Sequence, residues 1–537
     1  MLQFNQYSRL SRHQMFLYIL LPIIVVFLLS FFKYHSGEIN YRNSDATWHT
    51  LLTIQAYDET PINVHKFLPI VSLGTPEDKN IPWGIYLGDQ QGNYYYTSFS
   101  SVGFFLPWAF IKLFNLPINE ASLYIFNTLL FILATIVWSV LLSEFYRDNK
   151  NKKYLLPLGL LAFIFVPEVM HGMGHAYWHQ SVMQVTFPAQ MLAFLLWNRR
   201  KSLRAKYAFF ALTLFNPIIE WTGYVANIGF AILEYVLTRK TSVNKSCIVW
   251  VLGLTAAAFC LFSLHFLMAV SLHDYISVLY KRFQYRSFSS DNAAFGIYEP
   301  DVFSGYIRSF RAWWCLVTVL LLWTIIQNGK VEFRHKHALF ILAFISIENL
   351  LMSEHATRYS YDRMKMIYLL SFLSCELFDQ ILTKASNVRI ASKLIFGTAL
   401  VCGALNFNHY VNSDEYIWHI NYRIRNQKFA DYINTNYPDS ILATKSLPRG
   451  YITLLFHRNI FEKPTPVLKT AEKRGVRYAI MLHFEGESPF SLSPLKINPV
   501  LIHWNMPRLL KAEIRDMRTQ TTHTLTMNTG GEIVKDG

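Results

Sequence analysis

Carboxylates that could act as catalytic acids or bases lie near the ends of long apolar runs in this sequence. Asp45 lies in the stretch Asn43–Leu52, where Ser44 can cap a helix, so its carboxylate is expected in the first turn of a surface helix. Glu220 adjoins Pro217 in a very short turn, and a carboxylate at membrane depth is costly without a function or a partner. A second interpretation of Asp45 is that it only complements the helix dipole, which is worth about 0.3–1 kcal/mol.

Three histidines have a spacing that would suit a metal on a helix. His171, His175 and His179 follow an i, i+4, i+8 pattern, which would align three imidazoles. Gly172 and Gly174 lie within this stretch and disfavour a regular helix. Hydrogen bonding to a substrate and a structural role are the other interpretations. We therefore predict no cofactor and no metal site, with a divalent metal as the alternative.

The composition places these residues in a membrane protein. The 537 residues are 52% hydrophobic and only 16% charged, where a soluble domain carries about 25% charged residues. The mean hydropathy is +0.21. These values exclude a protein that is soluble throughout, and they exclude a disordered chain. The net charge of +15 does not indicate nucleic acid, because Lys and Arg gather in the cytoplasmic loops of membrane proteins.

Eleven apolar runs are predicted to span the membrane. The Lys and Arg clusters fall in alternate, short loops, which places those loops and the N-terminus in the cytoplasm. The run Phe104–Leu116 is too short to span comfortably, so we predict an interfacial helix on the outer surface. The first span is read as an uncleaved signal anchor. The spans are Phe16–Phe32, Glu120–Glu144, Tyr154–Met170, Val182–Trp197, Tyr207–Ile219, Thr222–Leu237, Ile248–Val270, Arg311–Gln327, Ala338–Met352, Met366–Leu382 and Leu394–Asn406.

The predicted fold is an α-helical polytopic membrane protein with a small C-terminal α/β domain outside the cytoplasm. The membrane domain covers residues 1–410 and includes a long first outer loop over 33–119, and the α/β domain covers 411–537. In this C-terminal region the patterns predict, in order, the helix Asn421–Asn434, the strand Ile441–Thr444, the helix Arg449–Phe456 and the strand Val476–Leu482. The short cytoplasmic loops and compact tail suggest a bacterial inner membrane.

The order of these features resembles a known superfamily. An outward Asp that opens a juxtamembrane helix is followed by Gly92–Phe99, by the apolar segment Phe104–Phe114, and by Glu120 with a span that ends in a basic loop. This arrangement resembles the GT-C membrane glycosyltransferases, and within them the branch of the protein O-mannosyltransferases and the lipid A aminoarabinose transferases. The resemblance covers most of the chain. It departs from that pattern at Ala46, where the family often has Glu.

The resemblance implies an inverting glycosyltransferase that uses a polyprenyl-phosphate sugar donor. The acceptor would be a glycan, a lipid or a protein on the outer face of the membrane. Asp45 matches the family's general base, which removes the acceptor's proton as its oxygen attacks the anomeric carbon. A second acidic residue is expected in the second outer loop. By position His179 stands there, and Glu168 and Glu220 are the alternatives.

Cations near the outer surface would stabilise a leaving lipid phosphate. Two outer loops supply them, and an alternative use is the binding of lipid headgroups by snorkelling side chains. The candidates are Arg282, Arg286, His355, Arg358 and Arg363. A transporter or flippase of lipid-linked glycan, and a glycan polymerase or ligase, are the alternative functions. The polar residues collect at the outer ends of the spans, which favours an enzyme over a transporter.

Overall fold

The protein is described from a computed structural model, and it is mostly helical. The structure describes residues 12–37, 45–73, 87–89, 93–174, 177–238, 245–287, 300–353, 356, 359–412, 421–444, 449–458, 460–461, 464–485, 508–528 and 531–536.

Every predicted span corresponds to one helix or to two successive helices. Six of the helices in the described ranges are long and apolar enough to cross a membrane, namely Phe16–His35, Glu120–Phe145, Ser246–Leu267, Phe303–Asn328, Met366–Lys384 and Val388–Asn412. The other predicted spans correspond to shorter or more polar helices: Lys152–Ile164 with Pro167–Gly172, His179–Arg200, Leu203–Ile219, Thr222–Thr238, and Lys336–Phe344 with Ile347–Leu351. The protein is therefore a helical membrane protein, and the number of eleven spans stays a prediction.

Two of the predicted spans are broken. The run Tyr154–Met170 divides because a proline disfavours helical backbone at the residue before it: Val166 is extended, and Pro167 begins a new short helix, Pro167–Gly172. The run Ala338–Met352 divides into Lys336–Phe344 and Ile347–Leu351. Both breaks place an acidic residue in the first turn of the second, short helix.

The chain forms two compact units. The first comprises Met1–Ser36, Tyr124–Leu264 and Phe283–Ser413. Its core includes Trp138, whose indole N–H donates to the hydroxyl of Ser371 at 3.0 Å. That hydroxyl donates in turn to the carbonyl of Gly159 at 2.6 Å, so three helices meet at this point. A side chain at residue 159 would collide with its neighbours, since a Cβ there would lie 2.8 Å from Cys375 Sγ.

The second unit comprises Gly37–Leu123, His265–Arg282 and Asp414–Gly537. It therefore contains most of the predicted first outer loop, residues 33–119. This loop forms the helices Asp45–Glu59, Ile62–His65 and Val102–Leu113, together with the short antiparallel pair Leu87–Gly88 and Tyr94–Tyr95. The predicted interfacial segment is thus helical.

A mixed six-stranded sheet forms the C-terminal part of the second unit. Its strands in spatial order are Ile460–Phe461, Ser440–Thr444, Tyr478–Glu485, Arg508–Asp516, Thr522–Met527 and Ile533–Asp536. The first three strands are parallel and the later pairs are antiparallel. The helices Asn421–Asn436, Arg449–Phe456 and Pro464–Arg474 accompany the sheet. The four elements predicted here are present, and four of the six strands were not predicted.

Candidate active site

The helix that carries Asp45 is well fixed in the second unit. It begins at Asp45, and its residues Trp48, Leu51 and Leu52 are buried, as the apolar pattern predicts. The Trp48 ring lies 4.9 Å from the ring of Tyr451 in the helix Arg449–Phe456. The side chain of Asp45 lies outside the described part of the chain. The structure thus places Asp45 at the first residue of a packed helix, and the role of its carboxylate stays a prediction.

An ion pair anchors the far end of the same helix. Glu59 Oε1 lies 3.1 Å from His457 Nδ1, which follows the helix Arg449–Phe456. This hydrogen bond raises the pKa of His457. Desolvation acts to raise the pKa of Glu59, but the hydrogen bonds from His457 and Gln55 outweigh it and lower that pKa. The helix is therefore held at both ends by the segment around Arg449–Phe456.

Buried acidic side chains cluster in the first unit. We call Glu168, Glu220, Glu348 and Asp362 the carboxylate cluster, and each has an exposed fraction below 5%. All four lie in the first turn of a short helix or in the turn that precedes a helix. Because buried carboxylates are costly unless they are paired, the partners of these four decide what they can do.

Glu168 is paired with Arg363. Glu168 Oε1 lies 3.3 Å from the Nη2 of Arg363, and both side chains are buried. The guanidinium also donates through Nε to Ser309 Oγ at 2.8 Å and through Nη1 to the carbonyl of Ala356 at 2.9 Å. Arg363 was predicted to bind the donor phosphate. The structure places it in a buried ion pair, so a phosphate would have to share this guanidinium with Glu168.

Gln180 joins two other members of the carboxylate cluster. Its amide Nε2 donates to Asp362 and lies 3.4 Å from Glu220 Oε1. The other oxygen of Glu220 accepts from the backbone N–H of Thr222 at 2.8 Å. Glu220 therefore accepts from neutral donors, and the ammonium of Lys365 also attracts it electrostatically.

The fourth carboxylate is paired with a lysine. Glu348 forms an ion pair with Lys365 and accepts from the hydroxyl of Thr222 at 2.8 Å. Lys365 Nζ lies 2.9 Å from the same hydroxyl. Thr222 thus links Glu348 to Glu220, and the hydrogen bonds run without a gap from Lys365 to Asp362. A network of this kind fixes the positions of its acids in a dry interior.

His179 lies beside Ile219, the residue before Glu220. It is fully buried, it interacts electrostatically with the backbone of Ile219, and its ring lies 4.9 Å from that of Trp178. The helix that contains His171 ends at Gly172, and the next helix begins at His179. The argument from the glycines against one continuous helix is therefore confirmed. His175 lies outside the described residues.

The remaining predicted cations are only partly described. Arg282 and Arg286 lie on the helix Leu272–Ser287, and the guanidinium carbon of Arg282 lies 4.9 Å above the ring of Tyr96. His355 and Arg358 lie outside the described residues. The phosphate-binding role of these residues stays a prediction.

Sequence reasoning missed part of this network. Gln180, Glu348, Asp362 and Lys365 were not predicted as site residues. Glu348 had a usable signal, since an acidic residue inside a predicted span indicates a function or a partner. Gln180 had no such signal, because a lone amide next to a helix start is common.

The fold of this chain is similar to the folds of solved oligosaccharyltransferase and ArnT structures. The apo oligosaccharyltransferase of Archaeoglobus fulgidus matches with a TM-score of 0.55 at 12% sequence identity, over 88% of this chain and 70% of that one. ArnT from Cupriavidus metallidurans, bound to undecaprenyl phosphate, matches with a TM-score of 0.54 at 11% identity, over 89% of this chain and 94% of that one.

A third solved structure is also similar. The archaeal oligosaccharyltransferase AglB from Archaeoglobus fulgidus, in complex with an inhibitory peptide and a dolichol-phosphate, matches with a TM-score of 0.51 at 13% identity, over 87% of this chain and 69% of that one. No family model matches the sequence, and no curated protein matches it either. The resemblance stated from the sequence is thus confirmed at the level of the fold.

Proposed function

We propose that the protein is a glycosyltransferase that moves a hexose or pentose from a polyprenyl-phosphate carrier to an acceptor on the outer face of the membrane, with inversion at the anomeric carbon. The acceptor is a glycan, a lipid or a protein. The protein resides in a membrane that we take to be a bacterial inner membrane, with the N-terminus in the cytoplasm and residues 411–537 outside.

One observation carries the proposal. The GT-C fold extends over 87–89% of this chain in three comparisons, and two of the matching structures hold a polyprenyl phosphate, undecaprenyl in one and dolichyl in the other. A shared fold does not by itself define an activity. The proposal is supported further by the helix that begins at Asp45 and by the arginines on the helix Leu272–Ser287.

In the proposed reaction Asp45 acts as the general base. Its carboxylate takes the proton of the acceptor hydroxyl or amine as that atom bonds to the anomeric carbon. The bond from this carbon to the phosphate oxygen breaks on the opposite face, and the electron pair leaves with the polyprenyl phosphate. Arginines bind the charge that develops on the phosphate.

Of the three candidates for the second polar group, we place Glu220 first. Glu168 is neutralised by the cation Arg363 at 3.3 Å, whereas Glu220 accepts from the amide of Gln180 and the backbone of Thr222. The direct hydrogen-bond donors of Glu220 are therefore neutral, whereas Glu168 is held by an arginine. His179 interacts with the backbone of Ile219, the residue before Glu220.

The test replaces Asp45 with Asn. This change keeps the size of the side chain and its capacity to cap the helix, so we expect normal expression and insertion. General base catalysis is typically worth about 10²–10⁴-fold in rate, and we expect transfer to fall by that factor. Asp58→Asn is the matched control, because Asp58 lies on the same helix in an exposed pair with Lys112. Retained activity in Asp45→Asn would overturn the assignment.

A further inference from the structure

Tyr96 lies in the second unit, between the helix that begins at Asp45 and the helix that carries Arg282. It follows the short strand Tyr94–Tyr95, and its backbone N–H donates to the carbonyl of Pro69 at 2.8 Å. The side chain is 5% exposed. Its ring is therefore held in one place by the surrounding chain.

Two side chains from distant parts of the sequence contact this ring. The His49 ring approaches it in an edge-to-face arrangement, with centroids 4.4 Å apart and an angle of 70°. The guanidinium carbon of Arg282 lies 4.9 Å from the ring centroid. His49 is four residues after Asp45, so these two residues share one face of their helix. Tyr96 thus connects the helix of the proposed base with the helix of a proposed phosphate-binding arginine.

A contact between an arginine and the face of an aromatic ring leaves the hydrogen-bond donors of the arginine available. The ring attracts the cation through its face and uses none of the five guanidinium N–H groups. Those N–H groups lie in the guanidinium plane, where they match the oxygens of a phosphate in a bidentate geometry. A lysine ammonium has no such plane, so the ring could not orient it in the same way.

We propose that Tyr96 is a positioning residue that orients the guanidinium of Arg282 toward the phosphate of the lipid-linked donor. The contact of its ring with His49 fixes Tyr96 against the helix that begins at Asp45. This assignment rests on the proposed function. It adds a residue that acts through Arg282 and does not itself touch the reacting atoms.

The test measures the binding of undecaprenyl phosphate to the purified, detergent-solubilised full chain. Tyr96→Leu removes the ring, and we expect the Kd to rise about 2- to 30-fold, the range of a cation–π contact from exposed to desolvated. Tyr96→Phe keeps the ring, and we expect its Kd within about twofold of the wild type. Tyr94→Leu is the matched control, since the Tyr94 ring lies over Gly88; we expect it to leave the Kd unchanged.

A double variant separates positioning from a general loss of structure. Arg282→Lys alone is expected to raise the Kd, and adding Tyr96→Leu to it is expected to raise the Kd no further, because the ring acts through the guanidinium. If the two effects multiply, the positioning role is wrong. If Tyr96→Leu does not fold, Arg282→Lys and Tyr96→Phe still test the role of the ring. An equal rise in Kd in these two variants would overturn that role, because Tyr96→Phe keeps the ring.

The same measurement distinguishes the two levels of the proposal. A wild-type protein that binds no undecaprenyl phosphate, and no dolichyl phosphate in a parallel assay, would overturn the proposed function and the role of Tyr96 with it. Wild-type binding that Tyr96→Leu leaves unchanged would overturn the role of Tyr96 alone.

Discussion

Removing Glu168 tests whether the pair with Arg363 holds the first unit together. The two side chains are 0% and 3% exposed and lie 3.3 Å apart. At an effective dielectric constant of about 20, two unit charges at this distance attract by about 5 kcal/mol. Desolvation offsets much of this attraction in the intact pair, but Glu168→Gln removes from the buried guanidinium the counter-charge that Glu168 supplies. Breaking such a pair typically costs 3–5 kcal/mol, and we expect a loss of about that size in the free energy of unfolding.

The assay is chemical unfolding of the purified protein in detergent, followed by Trp fluorescence. Arg363→Gln is expected to cost more than Glu168→Gln, because it also removes the hydrogen bonds to Ser309 and the carbonyl of Ala356. The double variant should be more stable than the sum of the single effects predicts, by roughly 1–3 kcal/mol, since neither charge is then left alone. Single losses below about 1 kcal/mol, or effects that simply add, would refute the reasoning.

Two further predictions concern the fold. His457→Gln should lower the melting temperature most between about pH 4.3 and 6.5, the ordinary pKa values of Glu and His. Above this range the difference in melting temperature should decrease as His457 loses its proton around its raised pKa. Below this range the difference should decrease as Glu59 gains a proton around its lowered pKa. Both groups are partly exposed, so the effect should stay below about 1 kcal/mol, and a pH-independent difference would contradict it. Gly223→Ala should cost about 1–3 kcal/mol and reduce transfer, because a Cβ there would collide with the backbone of Asn216 and Pro217, next to the turn that holds Glu220. Gly253→Ala, where a Cβ would meet nothing within 4 Å, should leave stability unchanged or raise it by up to about 1 kcal/mol, as comparative unfolding would show.

Patterns that depend on neighbours along the chain were predictable. Apolar runs predicted the helices of the membrane part, because a helix that lies in lipid needs apolar side chains along its whole length. The helix after Asp45 was predictable for a related reason, since Ser44 and the spacing of Trp48, Leu51 and Leu52 are local signals.

The sequence did not predict the two breaks within the predicted spans. A proline at residue 167 ends one helix and starts another, which places Glu168 in a first turn. The hydropathy window hides this break, because the residues on both sides are apolar. The sequence analysis therefore read one span where the structure has two helices.

The sequence by itself determined that this chain is a helical membrane protein that resembles the GT-C enzymes, since composition and apolar periodicity are properties of the chain alone. Only the tertiary structure decided which charges meet. The partners Glu168 and Arg363 are 195 residues apart, and His49, Tyr96 and Arg282 come from three separate elements. Such contacts depend on how helices pack, and helix packing is set by side-chain shape over the whole unit, which no local pattern encodes.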